Sequence, residues 1–294
     1  MTPASDNARR SRPLLGTFVE VTAGGALQDR LHAAIERAFE AVAEVHRLMS
    51  FHESGSDVSR LNRGALFRPV AVDPQTLEVL EWSRRFAEAS DGGFDITVAA
   101  ELVDWGLLPR PDSRYQPDGR GSWRDVESLP DGTVRFHRPL WIDLGGIAKG
   151  YAVDRAIERL RAAEVARACV NAGGDLRVLG SEVRRVHLDP RHRRDHRVPV
   201  LEIANASVAS SGGQVVRKGR QGAVGPHVHG TERHPVGART FVSVVAERCV
   251  VADALTKVVL ALGPRSEALL RRYRATAHVR DPHREWRTLG AGAH

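Results

Sequence analysis

The residues of this chain best placed to do chemistry lie in one stretch, 141–154, which reads WIDLGGIAKGYAVD. An acid, Asp143, precedes the pair Gly145 and Gly146; Lys149 and Gly150 follow, then a run compatible with a helix. The pattern predicts a strand that runs into a glycine turn, and a turn that opens a helix. Glycine permits positive φ and lets a ligand come close to the backbone. Free N–H groups, a helix N-terminus and an ammonium together favour an anion such as a phosphate. The same residues also suit a plain strand-to-helix connection with a surface lysine. Neither the P-loop pattern Gly-x-x-x-x-Gly-Lys-Ser/Thr nor the dinucleotide fingerprint Gly-x-Gly-x-x-Gly occurs in the stretch. Three more glycine-rich loops stand out: DGGFDIT (91–97), NAGGD (171–175) and SSGG (210–213). Several such loops in one chain suggest backbone approaching a large ligand from different sides, although glycines also close ordinary hairpins.

These loops need elements to hold them. Apolar residues at steps of three and four predict a helix over 28–49, through Leu31, Ile35, Ala38, Val42, Val45 and Met49. A second helix fits 74–90, and a third follows the central loop to about 164, with Val153, Ile157 and Leu160 facing inward. A short apolar helix fits 251–262, closed by Gly263 and Pro264, and a last one fits about 265–273. Alternation or apolar runs predict strands over 14–23, 134–137, 140–144, 168–172, 176–179 and 241–247, two more within 198–213, and one or two after the last helix. Residues 50–59, 109–124 and 217–239 read as polar loops, the last with three histidines, and residues 1–13 as a disordered arm before a single domain over 14–290. Without a regular strand–helix repeat, the pattern is α+β with mixed or mainly antiparallel sheets and packed helices.

Composition narrows the function classes. With 294 residues, 42% of them hydrophobic, the chain can bury a sizeable core. Cys169 and Cys249 both sit in apolar runs and read as buried free thiols, and no Cys-x-x-Cys zinc pattern is present. The net charge is +7, yet there are only three lysines and the arginines are scattered, which argues against a nucleic-acid surface. The sharpest basic run, 184–197, contains Asp189 and Asp195 and no aromatics, so it reads as a solvated loop or hairpin. No apolar stretch of about 18 residues exists to span a membrane. The basic N-terminal residues lead into neither an apolar segment nor a lipobox cysteine, so the expected location is cytoplasmic.

Taken in order, the motifs resemble one family, the ApbE-like FAD:protein FMN transferases. The resemblance rests on LLGTF (14–18), MSFHESGSDVSRLN (49–62), DGGFDITV (91–98), DLGGIAKGYAVD (143–154), VNAGGDLRVLG (170–180), VASSGG (208–213) and VADALTKVVLALG (251–263). It implies an α+β fold that binds FAD and a divalent cation, usually Mg²⁺. The implied reaction transfers FMN to a threonine or serine hydroxyl of a partner flavoprotein and releases AMP. It is phosphoryl chemistry, in which positioning and charge neutralisation carry most of the catalysis. Carried onto this sequence, the FAD contacts fall at Leu15, His52, Gly93, Phe94, Asp95, Gly145, Tyr151 and His229, with Asp95 accepting from the adenine or ribose. His227 matches the family histidine that would handle the acceptor hydroxyl's proton. The metal ligands would be the Ala148 carbonyl and Asp253.

The resemblance also exposes departures. Four residues after Asp253, where the family usually has threonine, stands Lys257; an ammonium there forms a natural ion pair with Asp253 and would repel a divalent ion. The sequence leaves open whether Lys257 substitutes for the metal or turns to solvent beside a bound Mg²⁺. Thr256 is adjacent but about 100° round the helix. In 226–237, PHVHGTERHPVG, the family's Asp-Pro is replaced by Gly230 and Thr231, so a site carboxylate is missing. Three functions stay open on the sequence: an active transferase, an FAD-binding relative that has lost transfer or only hydrolyses FAD, and a binder of acidic partners. Acceptor identity and oligomeric state are not written in the sequence.

Overall fold

The computed structural model describes all residues except 1–6, 189–197, 213–216, 220–221, 238, 282–285 and 291–294. The chain begins with a hairpin of β1 (Asn7–Leu14) and β2 (Thr17–Gly24), then α1 (Gln28–Met49), α2 (Asp57–Gly64), β3 (Val70–Ala71), α3 (Pro74–Ala89) and α4 (Ala99–Asp104). A 3-10 turn at Trp123–Asp125 leads to β4 (Val126–Ser128), β5 (Thr133–Phe136), α5 (Ala148–Ala162), β6 (Arg167–Ala172), β7 (Asp175–Leu179) and β8 (Arg184–His187). There follow β9 (Val200–Ile203), β10 (Ser207–Gly212), β11 (Arg217–Gly219), β12 (Gly222–Val224), β13 (Phe241–Ala246) and α6 (Cys249–Leu262). A second 3-10 turn, α7 (Glu267–Arg272), β14 (Thr276–Arg280) and β15 (Arg287–Gly290) close the chain.

Eight strands form one sheet in the order β1-β2-β6-β7-β10-β13-β14-β15, and its neighbours pair antiparallel. β3, β5 and β4 make a small second sheet; β8–β9 and β11–β12 are separate hairpins. The fold is therefore α+β with antiparallel sheets, as the pattern implied. α1 packs on α5, α5 on α6, and α6 on β10 and β13, so the helices form a layer on one face of the sheet. The main core lies between these layers. The other face carries a smaller cluster, Cys169, Leu176, Val178, Leu188, Ile203 and Val208.

That two-faced burial decides where the polar residues go. Side chains alternate along a strand, so β7 sends Leu176 and Val178 to the small cluster and Asp175 and Arg177 towards the helices. β10 likewise places Val208 in the small cluster and brings Ser211 to α6. α6 is apolar nearly all round, with Val250, Ala254, Leu255 and Val258 fully buried. Each such large side chain taken from water is worth about 1.5–3 kcal/mol. Its polar residues Thr256 and Lys257 lie three and four positions after Asp253, about 100° apart round the helix.

Several expectations need correction. Residues 7–14 are not a disordered arm: they form β1, paired along its length with β2. Residues 140–144 form no strand: Asp143 N–H donates to Ile96 O at 2.8 Å, and Ile142 is held by the side chain of Asn62. Its amide donates to Ile142 O at 2.9 Å and accepts from Ile142 N–H at 2.8 Å. Residues 217–239 are not one loop; they begin with the β11–β12 hairpin. Of the basic run, 184–187 is β8, and 189–197 lies outside the described residues. No described helix is long and apolar enough to cross a membrane. Cys169 and Cys249 are buried free thiols.

Candidate functional site

The site is built where α5 and α6 cross. Their approach requires Gly150, since a Cβ there would fall 2.3 Å from Cys249 O and 2.7 Å from Asp253 Cβ. Helix N-termini carry unpaired N–H groups and favour negative charge. Each helix supplies a carboxylate to the other's N-terminus. Asp253 of α6 accepts from Gly150 N–H of α5 at 2.9 Å. Asp154 of α5 accepts from Cys249 and Val250 N–H of α6 at 2.9 and 3.0 Å. Asp154 also pairs with Arg177 at 2.6 Å and faces Arg248 at 3.6 Å. This mutual capping fixes the first turn of both helices, and with it the groups that face the cleft.

Those groups form two ion pairs. Lys257 binds Asp253 Oδ1 and lies 3.2 Å from the Asp253 carbonyl oxygen. Lys149 binds Asp175 Oδ2, while Asp175 Oδ1 accepts from Ser210 N–H at 3.2 Å. Burial works to lower the Lys149 pKa, but Asp175 and then Asp253 outweigh it and hold the ammonium above the ordinary lysine range. Partly buried His227 has its pKa pushed down to about 3, by desolvation first and then by Lys257 and Lys149. At neutral pH it is therefore an uncharged imidazole within the field of two ammonium groups. Burial also raises Asp143, against the Gly145 N–H and the charges of His52 and Lys257. Gly145 donates to Asp143 Oδ1 at 3.1 Å, and a Cβ at Gly145 would fall 2.9 Å from Oδ2, so glycine lets the carboxylate fold over the loop.

Two more loops close on this centre. A Cβ at Gly146 would lie 3.6 Å from the Phe94 ring and 3.7 Å from Lys257 Cε, which places loop 91–97 beside the lysine. Gly230 N–H donates to Gly93 O at 3.1 Å and thereby ties loop 227–236 to it. Arg233 pins the same junction, donating to Thr97 Oγ1 at 2.9 Å and Gly121 O at 2.7 Å, with Asp95 Oδ2 at 3.5 Å. Gly230 is pressed so close that a Cβ would fall 2.1 Å from Gly92 O. The absent carboxylate at this position thus has a steric reason: no side chain fits. The β1–β2 turn, Leu15 and Gly16, has φ of +56° and +70°, positive at both positions as a type I′ turn requires. A leucine rarely adopts that conformation. The hairpin reaches the 173–174 turn, where a Cβ at Gly173 would fall 2.6 Å from Thr17 Oγ1.

The structure brings together His227, Asp253, Lys257, Phe94 and the 143–146 loop, with His52 exposed near Asp143. Other expected contacts are engaged within the protein. Tyr151 is fully buried and donates to Glu78 Oε2 at 2.7 Å. The buried Asp95 carboxylate accepts from Thr97 N–H and Oγ1, both at 2.8 Å, and from Trp123 N–H at 3.2 Å. His229 is buried; its Nδ1 accepts from Glu232 N–H at 3.1 Å, which leaves Nε2 protonated and without a partner. Lys149 was expected to favour an anion and Asp143 was singled out in the same stretch, whereas Asp175 and Arg233 were not among the expected site residues. Asp175 sits in a glycine-rich motif, which was its only signal; Arg233 had none.

The donor set does not fit a divalent cation. Both Asp253 oxygens are engaged, one by Gly150 N–H and one by Lys257. The Ala148 carbonyl belongs to the first turn of α5, where it serves the helix ladder. Thr256 Oγ1 donates to Asp253 O at 2.7 Å and meets Ser211 Oγ at 2.7 Å. Among the described residues no three His, Cys, Asp or Glu side chains are grouped to hold a metal ion. Mg²⁺ wants near-octahedral oxygen ligands.

Comparison with known proteins matches this geometry to a family. The model of the ApbE family matches residues 15–279. The FAD:protein FMN transferase of Vibrio cholerae is 25% identical over 282 residues, covering 88% of this chain and 82% of that protein. The FAD:protein FMN transferase of Treponema pallidum is 28% identical, covering 83% of this chain and 75% of that protein. The crystal structure of the ApbE protein of Thermotoga maritima superposes with a TM-score of 0.80 at 24% identity, over 96% of both chains.

Proposed function

This chain belongs to the ApbE family, and from that premise we propose that it is an FAD:protein FMN transferase. It moves the FMN half of FAD onto a threonine or serine hydroxyl of a partner flavoprotein and releases AMP, with residues 14–290 acting as one transferase domain. One observation carries the reading. The ammonium groups of Lys149 and Lys257, held by the buried carboxylates of Asp175 and Asp253, stand where α5 packs on α6, ringed by glycine loops.

Each part has a role in that reaction. The two ammonium groups and the neighbouring backbone face the diphosphate of FAD, with Gly145, Gly93 and Phe94 along its path. His227 accepts the proton of the acceptor hydroxyl. The hydroxyl oxygen attacks the phosphorus of the FMN half. The bond from that phosphorus to the bridging oxygen breaks, and AMP leaves with that oxygen. On its own His227 is a poor base, because burial and the two lysines depress it. A bound diphosphate offsets the lysine field and raises its basicity. The site thus acquires its base when its substrate arrives.

The test incubates the full chain with FAD and a co-expressed flavoprotein from the same genome that exposes an acceptor hydroxyl. Flavin fluorescence on the denatured acceptor and AMP by chromatography are measured together. Covalent flavin and AMP in equal amounts are expected. FAD bound without AMP release, or FMN and AMP without covalent flavin, would overturn the reading in favour of a relative that has lost transfer.

A further inference from the structure

We propose that the resident cation at Asp253 is the ammonium of Lys257, and that this chain binds the diphosphate of its dinucleotide without a divalent metal ion at that position. The identity of the dinucleotide rests on the function proposed above; the replacement of a metal by an ammonium does not.

Three features hold the ammonium in place. Its nitrogen contacts two oxygens of one residue, a carboxylate oxygen and the carbonyl oxygen of Asp253, so it already lies where a cation bound to that residue would lie. The second carboxylate oxygen is committed to Gly150 N–H at the start of α5, so the carboxylate cannot rotate to open a metal position without uncapping that helix. The lysine stem is packed: only 15% of the side chain is exposed, and its methylenes lie in the gap between Gly146 and α6, beside Phe94. Swinging it to solvent would leave that gap empty.

The surroundings match this arrangement. The nearest alternative hydroxyl, Thr256, points at Ser211 and the Asp253 carbonyl. Of the other carboxylates, Asp175 is taken by Lys149 and Asp143 accepts from Gly145 N–H. Asp175 and Asp253 each hold an ammonium and Asp143 accepts from Gly145 N–H, so an incoming dication would have to displace one of these partners in a partly buried cleft. An ammonium is a compact point charge with three donors, well suited to phosphate oxygens, and here it needs no ligand exchange to act.

The experiment uses the full chain, Lys257→Thr and the stem-preserving Lys257→Met. Mn²⁺ binding to the flavin-free proteins is followed by electron paramagnetic resonance. FAD binding is followed by fluorescence quenching in chelator and in Mg²⁺. The wild-type chain should show no saturable Mn²⁺ site, whereas Lys257→Thr should gain one. Wild-type FAD affinity should be the same in chelator and in Mg²⁺. Lys257→Met should lose about tenfold in both, and Lys257→Thr about tenfold in chelator only, with recovery in Mg²⁺. Mn²⁺ binding as tight in wild type as in Lys257→Thr would overturn the proposal, as would a tenfold loss of wild-type FAD affinity on chelation. If the wild type binds no FAD under either condition, the proposed function falls, and the Mn²⁺ comparison still decides the role of Lys257.

Discussion

Replacing Asp154 by alanine should destabilise the protein severely while removing no group that faces the cleft. The carboxylate is fully buried and has four partners: Arg177 at 2.6 Å, Arg248 at 3.6 Å, and the N–H groups of Cys249 and Val250 at 2.9 and 3.0 Å. Leaving one partner of a buried ion pair uncompensated costs about 3–5 kcal/mol. Losing a helix N-cap costs about 1 kcal/mol more. A total near 5 kcal/mol follows, comparable with the whole stability of many domains, about 5–15 kcal/mol. The charge share can be separated from the cap share. Asp154→Ala combined with Arg177→Met removes the stranded guanidinium and should recover about 2 kcal/mol, within the range expected of coupled neighbours. Urea denaturation with linear extrapolation measures both. FAD affinity of the folded fraction should also fall, because α6 carries Asp253 and Lys257 one turn beyond the lost cap. A loss below about 1 kcal/mol for Asp154→Ala, or a double variant no more stable than the single, would refute the reasoning.

Two further outcomes follow from other parts of the site. Gly230→Ala should cost about 1–3 kcal/mol by overpacking and weaken FAD binding by lifting loop 227–236 off Gly92; a fully stable variant in urea would show that the loop has room. His227 titrates at about 3 in the folded chain against an ordinary 6.5, so between those values the unfolded chain binds more protons. Stability should therefore fall as pH drops from about 6.5 towards 3, with His227 contributing up to about 1.4 kcal/mol per pH unit. His227→Gln should flatten that slope in thermal or urea unfolding, and an unchanged slope would place the depressed titration elsewhere.

The sequence was most legible where one physical rule acts alone. The helix over Gln28–Met49 is bounded as its apolar spacing predicts, and all six residues named for its inner face are buried. The ion pair of Asp253 and Lys257 could be read directly, because four residues on a helix is one turn. Reading failed where a distant side chain does the work of backbone. Residues 140–144 look like a strand, yet Ile142 bonds to the amide of Asn62, 80 residues earlier, and not to a neighbouring strand. The short helix α2 hid in a polar run, although Ser56 caps it by accepting from Ser59 N–H at 3.1 Å. The pairing of Lys149 with Asp175 needs β7 laid against α5, and no local pattern announces that. Gly230 looked like a lost carboxylate; only the proximity of Gly92 shows that a side chain has no room there.

The mutual capping of α5 and α6 also sets when the site can exist. Gly150 and Asp253 are 103 residues apart in sequence, and Asp154 and Cys249 are 95 apart. Closing so long a loop costs little more entropy than closing one half its length. It does require that the last quarter of the chain has been synthesised and docked, and such non-local contacts form late. A chain still emerging from the ribosome, or one cut short before α6, has neither a capped α5 nor a cation at Asp253. Competence to bind a dinucleotide is thereby tied to the docking of α6.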